Sequence, residues 1–153
     1  MNLVDLFLST DGRINRLRFW IGTLILAAIS TAAMLLNLAV VGVSQTAVLI
    51  SVLVALALAY PSYALMAKRF QDRDRPGLLA LLGIVPTFGV NLLYTFRILD
   101  PIEPTALSRF LDVILVVIGL WILIQLGCLK GTQGPNRYGL DPLGQSQADA
   151  NLG

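Results

Sequence analysis

The chain contains a long run without Asp, Glu, Lys or Arg, residues 19–67, FWIGTLILAAISTAAMLLNLAVVGVSQTAVLISVLVALALAYPSYALMA. This stretch is longer than two membrane crossings require, since one helical crossing needs about 20 apolar residues. Residues 42–46, GVSQT, combine a flexible glycine with small polar residues and predict a break between two helices. The stretch therefore predicts a helical hairpin with spans at residues 19–41 and 47–67.

Two further spans follow the same logic. A second charge-free run, residues 76–96, contains a span at 78–96, and residues 110–129, FLDVILVVIGLWILIQLGCL, supply the fourth, with Asp112 near its outer end. Helices are expected because they satisfy their own backbone hydrogen bonds in lipid, which open strands cannot do. The sequence predicts an all-α membrane protein with four transmembrane helices in a compact bundle.

This four-span unit forms one domain, residues 1–142. The polar, glycine-bearing end of the chain, residues 143–153, is expected to be a disordered tail.

Composition supports a membrane protein. Hydrophobic residues make up 56% of the chain and charged residues only 13%, where soluble domains have about 25% charged residues. A soluble helical bundle would keep a polar face on each helix, and residues 49–60, LISVLVALALAY, have none. A cleaved signal peptide is disfavoured because the first apolar run is much longer than the roughly 7 to 15 residues of a signal core.

The distribution of basic residues predicts the orientation. With four spans both termini lie on one side of the membrane, and that side has nine of the eleven Lys and Arg residues, while Arg97 and Arg109 lie opposite. The nine are Arg13, Arg16, Arg18, Lys68, Arg69, Arg73, Arg75, Lys130 and Arg137. Because basic loops stay inside, the N and C termini are both predicted to be cytoplasmic.

The most charged segment is residues 68–77, KRFQDRDRPG, between spans two and three. Asp72 is four residues from Lys68 and three from Arg69, so it faces both if span two continues for one more turn. One interpretation is a solvated, ion-paired helix end. The other is a binding site for an anionic group, because the planar fork of arginine matches phosphate.

Two other segments share the predicted cytoplasmic side. In residues 9–20, STDGRINRLRFW, Thr10 or Asp11 is a candidate helix cap that precedes Arg13 and Arg16. Residues 130–142, KGTQGPNRYGLDP, contain glycines and prolines that favour tight turns. Together the three segments predict a cytoplasmic cap. In this cap Asp72 and Asp141 pair with four arginines, Arg13, Arg16, Arg69 and Arg75. The candidate cap residues are Arg13, Arg16, Arg69, Asp72, Arg75, Asn136, Arg137, Tyr138 and Asp141.

The ordered trio GRINRLRFW, KRFQDRDRPG and NRYGLDP, set among four spans, resembles the small bacterial inner-membrane proteins of domain-of-unknown-function family 805. The resemblance covers roughly residues 7–142 and implies the same four-span fold and location, but it brings no biochemical activity. Family members often have histidine where this chain has Gln71, and other residues at Arg73 and Asp74. Those departures argue against proton transfer by the central loop.

Little in the chain suggests catalysis. It has no histidine and a single cysteine, Cys128, so no nucleophile and base can be paired. Spacings typical of metal ligands are missing, and no metal or other cofactor is expected. The basic residues are interspersed between apolar segments, which disfavours nucleic-acid binding. An enzyme that modifies lipids through Asp72 and Asp141 is the least favoured interpretation.

The sequence thus favours a non-catalytic integral membrane protein whose arginine-rich cap binds membrane lipids through their anionic headgroups, or a membrane-protein or cytoplasmic protein partner. The alternative is a small transporter or channel, as a single chain or as a homo-oligomer. A proton-coupled exporter would need a carboxylate deep in the membrane, and Asp112 lies only two residues from the outer end of its span.

Overall fold

The computed structural model describes residues 2–100 and 102–144. A short helix, α1 (Leu3–Leu8), precedes four long helical segments. These are α2 (Arg16–Val41), α3 (Gln45–Gln71), α4 (Leu81–Thr95), which a 3-10 turn at Gly77–Ala80 introduces, and α5 (Ala106–Ile122), which continues as a π-helical segment, Leu123–Cys128.

Four helices are long and apolar enough to cross a membrane: Arg16–Val41, Gln45–Gln71, Gly77–Thr95 and Ala106–Cys128. The prediction of an all-helical chain with four spanning helices is therefore confirmed. The predicted tail, residues 143–153, lies outside the described residues except for Leu143 and Gly144.

Local side-chain chemistry sets the ends of the first hairpin. The Asn15 side chain accepts a hydrogen bond from the Arg18 amide, so α2 begins at Arg16, and the expectation of a cap at Thr10 or Asp11 is wrong. Gly42, with a φ of 68°, ends α2, and Ser44 then caps α3. The helix break predicted at residues 42–46 is confirmed.

Helix α3 extends four residues beyond the predicted end of span two, to Gln71. Asp74, with a φ of 55°, turns the chain back towards the 3-10 turn at Gly77–Ala80. The final turn of α3 therefore contains Lys68 and Arg69, and both are buried instead of solvated.

Burial is concentrated at one end of the long helices, which we call the polar end and define as residues 2–19, 65–80 and 125–142. Its apolar core packs α1 and the start of α2 against the ends of α3 and α5. The core residues are Leu6, Ile14, Phe19, Leu65, Phe70, Ala80 and Leu126. By contrast, only 6% of the apolar window in α2 and 11% of that in α3 is buried inside the protein. Most of the spanning surface is therefore left for lipid.

Close helix contacts near the polar end depend on small residues. A Cβ on Gly22 would lie 2.7 Å from Leu65 of α3, and one on Gly127 would lie 2.7 Å from Trp20 of α2. A larger residue at either position would force the neighbouring side chain to shift. The first contact packs α2 against α3, and the second joins α2 to the π-helical end of the fourth span.

Away from the polar end, polar contacts stay within each hairpin. Asn37 of α2 donates to Ala47 O at 2.8 Å, and Tyr94 of α4 donates to the Asp112 carboxylate of α5 at 2.9 Å. Between hairpin one (α2 and α3) and hairpin two (α4 and α5) lies a cavity of about 750 Å³, which we call the inter-hairpin cavity.

Candidate functional site

Arg13, Arg69 and Asp72 form a buried ion cluster at the polar end. Arg13 Nε lies 3.1 Å from Asp72 Oδ1, and Arg69 Nη1 donates to Asp72 Oδ2. The side chains of Arg13 and Arg69 are 1% and 0% exposed, and that of Asp72 is 5% exposed. Removing three charges from water is costly, so such a cluster needs other hydrogen-bond partners as well.

Arg69 finds those partners at the end of the fourth span. Its Nε donates to Leu126 O at 2.8 Å, and its Nη2 donates to Leu129 O at 2.5 Å. The last carbonyl groups of a helix have no intrahelical partner and carry partial negative charge, so a cation there is favourable. Arg69 therefore connects the end of α3 to the end of the fourth span.

The π-helical segment, Leu123–Cys128, helps to present those carbonyl groups. Leu129 N bonds to Ile124 O, five residues earlier, which is the wider spacing of a π-helix. Carbonyl groups of five consecutive residues accept hydrogen bonds from side chains of other segments. They are Gln125 O from Arg73, Leu126 O and Leu129 O from Arg69, Gly127 O from Trp20, and Cys128 O from Arg16.

Arg13 organises the loop that follows. Its Nη1 donates to Gly134 O at 2.7 Å and Gly139 O at 3.3 Å, while its Nη2 donates to Thr132 O at 2.6 Å. Thr132 in turn donates to Asp72 O from its backbone nitrogen, at 2.8 Å, and from its hydroxyl, at 3.0 Å. The loop is thus fixed to the buried ion cluster by both charged and backbone groups.

Gly131 lets the loop pass directly over Asp72. A Cβ at this position would overlap Asp72 Oδ2, so a larger residue would force the carboxylate to move. The glycine-rich composition of residues 130–142 predicted turns but did not identify this contact, because it depends on how the loop folds back over α3.

Lys68 does not form the predicted pair with Asp72. Its ammonium group instead donates to Leu6 O at 2.7 Å and to Asp5 O, which are among the last carbonyl groups of α1. Lys68 is fully buried and secures α1 against α3. Tyr60 adds a hydrogen bond to Leu8 O at 2.9 Å.

Electrostatically, the buried ion cluster has two guanidinium groups for one carboxylate. Burial raises the pKa of Asp72 because the interior disfavours its charged form, while the charges of Arg69 and Arg13 oppose that shift. The excess positive charge faces backbone carbonyl groups and the negative end of the fourth span. Each nitrogen of both guanidinium groups has a partner inside the protein.

The structure brings the other candidate cap residues to the same end. Asn136 Nδ2 donates to Gln71 O at 2.9 Å, and Asn136 and Gly139 close a tight turn that contains Arg137 and Tyr138. Arg137 forms an exposed ion pair with Asp74 at 3.1 Å and lies over the ring of Tyr138. These contacts connect the C-terminal loop with the turn after α3.

Among the described residues Asp141 forms no ion pair with an arginine, contrary to the predicted pairing, and Arg13 acts on it only through its charge. Its carboxylate accepts hydrogen bonds from the backbone of Gly134 at 3.0 Å and of Leu143 at 2.9 Å. The backbone groups of Leu143 and Gly134 lower the pKa of Asp141, because they stabilise the charged form. Asp141 therefore acts within its own loop.

Three basic side chains remain outside these contacts. Arg75 and Lys130 are exposed, Arg18 is partly exposed, and within the described residues none of the three side chains has a hydrogen bond or an ion pair. We call Arg18, Arg75 and Lys130 the exposed basic rim. Burial lowers the pKa of nearby Arg73, and the positive charge of Arg75 lowers it further, while the charge of Asp72 opposes the shift.

The inter-hairpin cavity lies below the apolar core. All four long helices contribute to its wall, including Phe19 of α2, Leu65 of α3, Gly83 of α4 and Ile122 of α5. Its wall is mainly apolar, so in a membrane the space suits apolar groups.

No group of three or more His, Cys, Asp or Glu side chains suited to a metal ion occurs within the parts of the chain that the structure describes. Cys128, near the end of the fourth span, is exposed and free.

Four spanning helices joined by an ion cluster at one end define an all-helical, multi-pass membrane protein. Residues 7–140 match the family described as "Protein of unknown function (DUF805)", and the chain belongs to this family. It is 32% identical over 141 residues to the uncharacterized protein YiiR of Escherichia coli (strain K12), covering 92% of this chain and 90% of that protein. It is also 28% identical over 142 residues to the inner membrane protein YhaI of the same organism, covering 93% and 92%. No solved structure matches the chain.

The comparisons confirm the family resemblance that the three motifs predicted. With the four apolar helices, they also support a multi-pass protein of the inner membrane. The family description names no activity, so the function has to be argued from the site.

Proposed function

We propose that this chain is a non-catalytic inner-membrane protein whose exposed basic rim binds anionic phospholipid headgroups. The observation that carries this proposal is the contrast between two sets of cations at one end of the bundle. Arg13, Lys68 and Arg69 are buried with internal partners, whereas the rim has none within the described residues. Arg16 and Arg137 are exposed as well, but each has a partner within the protein, so the rim cations are the ones left to pair with an external anion.

The position of the rim favours lipid over a protein partner. Arg18 lies in the first turn of α2, two residues before Trp20, an aromatic residue of the kind found at the headgroup boundary. A basic residue near an anionic leaflet contributes about 1 kcal/mol to lipid binding, so three of them contribute about 3 kcal/mol. A soluble protein partner or a second copy of this chain is the alternative for the same surface.

We also propose that the polar end faces the cytoplasm. The positive-inside rule supports this orientation. A cysteine introduced by Asp74→Cys, in a chain with Cys128→Ser, tests this directly because Asp74 is exposed. An impermeant maleimide should label it only after the inner membrane is permeabilised. Labelling in intact spheroplasts would contradict the orientation.

A lipid-modifying enzyme would use the carboxylates of Asp72 and Asp141, but both already have partners inside the protein. Asp72 is buried between two arginines, and Asp141 accepts two backbone hydrogen bonds. Their internal roles support a non-catalytic function.

Lipid binding at the rim is tested by thermal unfolding in an uncharged detergent, with phosphatidylglycerol or phosphatidylcholine added. Phosphatidylglycerol should raise the melting temperature of the native chain more than phosphatidylcholine does. The triple variant Arg18→Gln, Arg75→Gln, Lys130→Gln should lose most of that difference. A matched control, Arg97→Gln with Arg109→Gln, removes the exposed arginines of the opposite end and should keep it. Equal responses of the two variants would contradict the proposal.

A further inference from the structure

The inter-hairpin cavity has no assigned occupant, and its shape and walls point to one. Its lining runs from Phe19 to Ser30 along α2 and from Met66 back to Ser51 along α3. At about 1.5 Å per residue these segments measure roughly 17 Å and 22 Å. One leaflet of a bilayer has a hydrocarbon depth of about 15 Å, so the cavity is long enough for a full acyl chain.

Four of the seven Ser, Thr and Asn side chains in the wall donate hydrogen bonds within their own helices. Thr23 donates to Phe19 O at 2.9 Å, and Ser62 donates to Leu58 O at 2.7 Å. Ser51 and Asn91 likewise donate to carbonyl groups four residues earlier in their own helices. Because each of these donors is satisfied within its helix, the surface offered to a ligand is mainly apolar.

The cavity is closed at the polar end. Phe19 and Leu65 line it and belong to the apolar core, and Ile122 packs against that core. Beyond them lie Arg69 and Asp72, both buried. A solute that crossed the membrane would have to displace this core, whereas a hydrocarbon chain that enters from the bilayer meets no such barrier.

We propose that the inter-hairpin cavity binds one acyl chain of a phospholipid from the surrounding bilayer. Its volume of about 750 Å³ is within the range of roughly 300–1,000 Å³ typical of ligand sites. The acyl chains of phospholipids are also the most abundant apolar groups around a spanning helix. The inference depends on the membrane location and not on headgroup binding at the exposed basic rim.

A matched pair of glycines tests the proposal. Gly119 of α5 lines the cavity, and Gly89 of α4 does not; a Cβ at either position would meet no atom within 4 Å. Gly119→Phe therefore places a ring in the cavity, while Gly89→Phe makes the same change outside it. The detergent-extracted chains, washed in lipid-free detergent, are compared by native mass spectrometry.

The native chain and Gly89→Phe should each retain one phospholipid per protomer, and Gly119→Phe should reduce the occupied fraction about tenfold or more. Equal retention by the two variants, or no retained lipid in the native chain, would overturn the proposal. Retention of a second protomer instead of a lipid would also overturn it, since another chain would then fill the space.

A second pair of variants tests the proposal even if Gly119→Phe fails to fold. Ala55→Phe changes a lining position of α3, and Ala57→Phe changes a neighbouring position that does not line the cavity. Loss of lipid from Ala55→Phe alone supports the proposal, and loss from neither or from both contradicts it. The triple variant of the exposed basic rim should still retain the lipid, so the two proposals fail separately.

Discussion

The polar end and the membrane-spanning segments are built on opposite physical principles. The polar end buries two arginines, a lysine and an aspartate, and these groups bond to the ends of α1 and the fourth span. The spanning helices instead expose large apolar residues such as Leu53, which is 65% exposed, and leave a cavity between the hairpins. In a membrane the apolar surface gains little from helix packing, since lipid is equally apolar, so the specific polar contacts position the helices.

The largest expected effect breaks the ion cluster on which this comparison depends. Asp72→Asn removes the only carboxylate from the cluster and leaves Arg13 and Arg69 buried together without a counter-charge. Loss of one partner from a buried charge cluster costs about 3–5 kcal/mol. The melting temperature in detergent should fall sharply, and the yield of folded protein should fall with it.

The matched control for Asp72→Asn is the same change at Asp74, two residues along the chain. Asp74→Asn removes the ion pair with Arg137, in which both side chains are about half exposed, at 48% and 57%. An exposed pair contributes about 0–1 kcal/mol, so the melting temperature should hardly change. Equal losses in the two variants would mean that burial of Asp72 has no special role.

A second comparison lies along α3 itself. Phe70 is 0% exposed in the core of the polar end, and Leu53 is 65% exposed towards lipid. Phe70→Ala should destabilise the folded protein by about 3 kcal/mol, because it leaves a void in a packed core. Leu53→Ala should change the stability by less than about 0.5 kcal/mol. Thermal unfolding of both variants in the same detergent measures the difference.

Gly131 gives a smaller effect with a different cause. A Cβ at this position would overlap Asp72 Oδ2, so Gly131→Ala should cost about 1–3 kcal/mol through overpacking. Gly89→Ala is the control, because its Cβ would meet no atom within 4 Å and alanine favours a helix. If the two variants have the same stability, the loop does not pass over Asp72 as described.

The smallest predicted effect is the pH dependence of Asp141. Its pKa in the folded chain lies below the value of about 3.9 expected in the unfolded chain. Its stabilising contribution is therefore present above about pH 4 and is lost as the pH falls through the lowered folded value. The melting temperature should fall slightly less below pH 4 in Asp141→Asn than in the native chain. An identical pH profile would count against this contribution.

The spans could be predicted from sequence because length and hydropathy are local properties. Residues 19–67 contain no charge over two helix lengths, so the first hairpin was the expected result. Two crossings separate the segment around Arg13 from that around Asp72, and two more separate the latter from Asn136. The sequence therefore also predicted that the three segments lie on one side of the membrane. Sequence spacing further identified Arg69 and Asp72 as a helical pair.

The partners of the buried cations could not be predicted in the same way. Spacing assigned Lys68 to Asp72, but the rotation of α3 directs its ammonium group to α1. The bond from Arg69 to Leu126 O requires the π-helical segment, which no simple sequence signal marks. The inter-hairpin cavity depends on the placement of the hairpins relative to each other, which hydropathy does not specify.

A comparison of two double-mutant cycles tests the central claim most directly. One cycle combines Arg13→Gln with Asp72→Asn, and the other combines Arg137→Gln with Asp74→Asn; the pairs have the same 3.1 Å separation but opposite burial. We expect a coupling free energy of more than about 1 kcal/mol for the buried pair and close to zero for the exposed pair. Equal coupling in the two cycles, or none in the buried pair, would contradict the claim that the buried ion cluster holds the helices together.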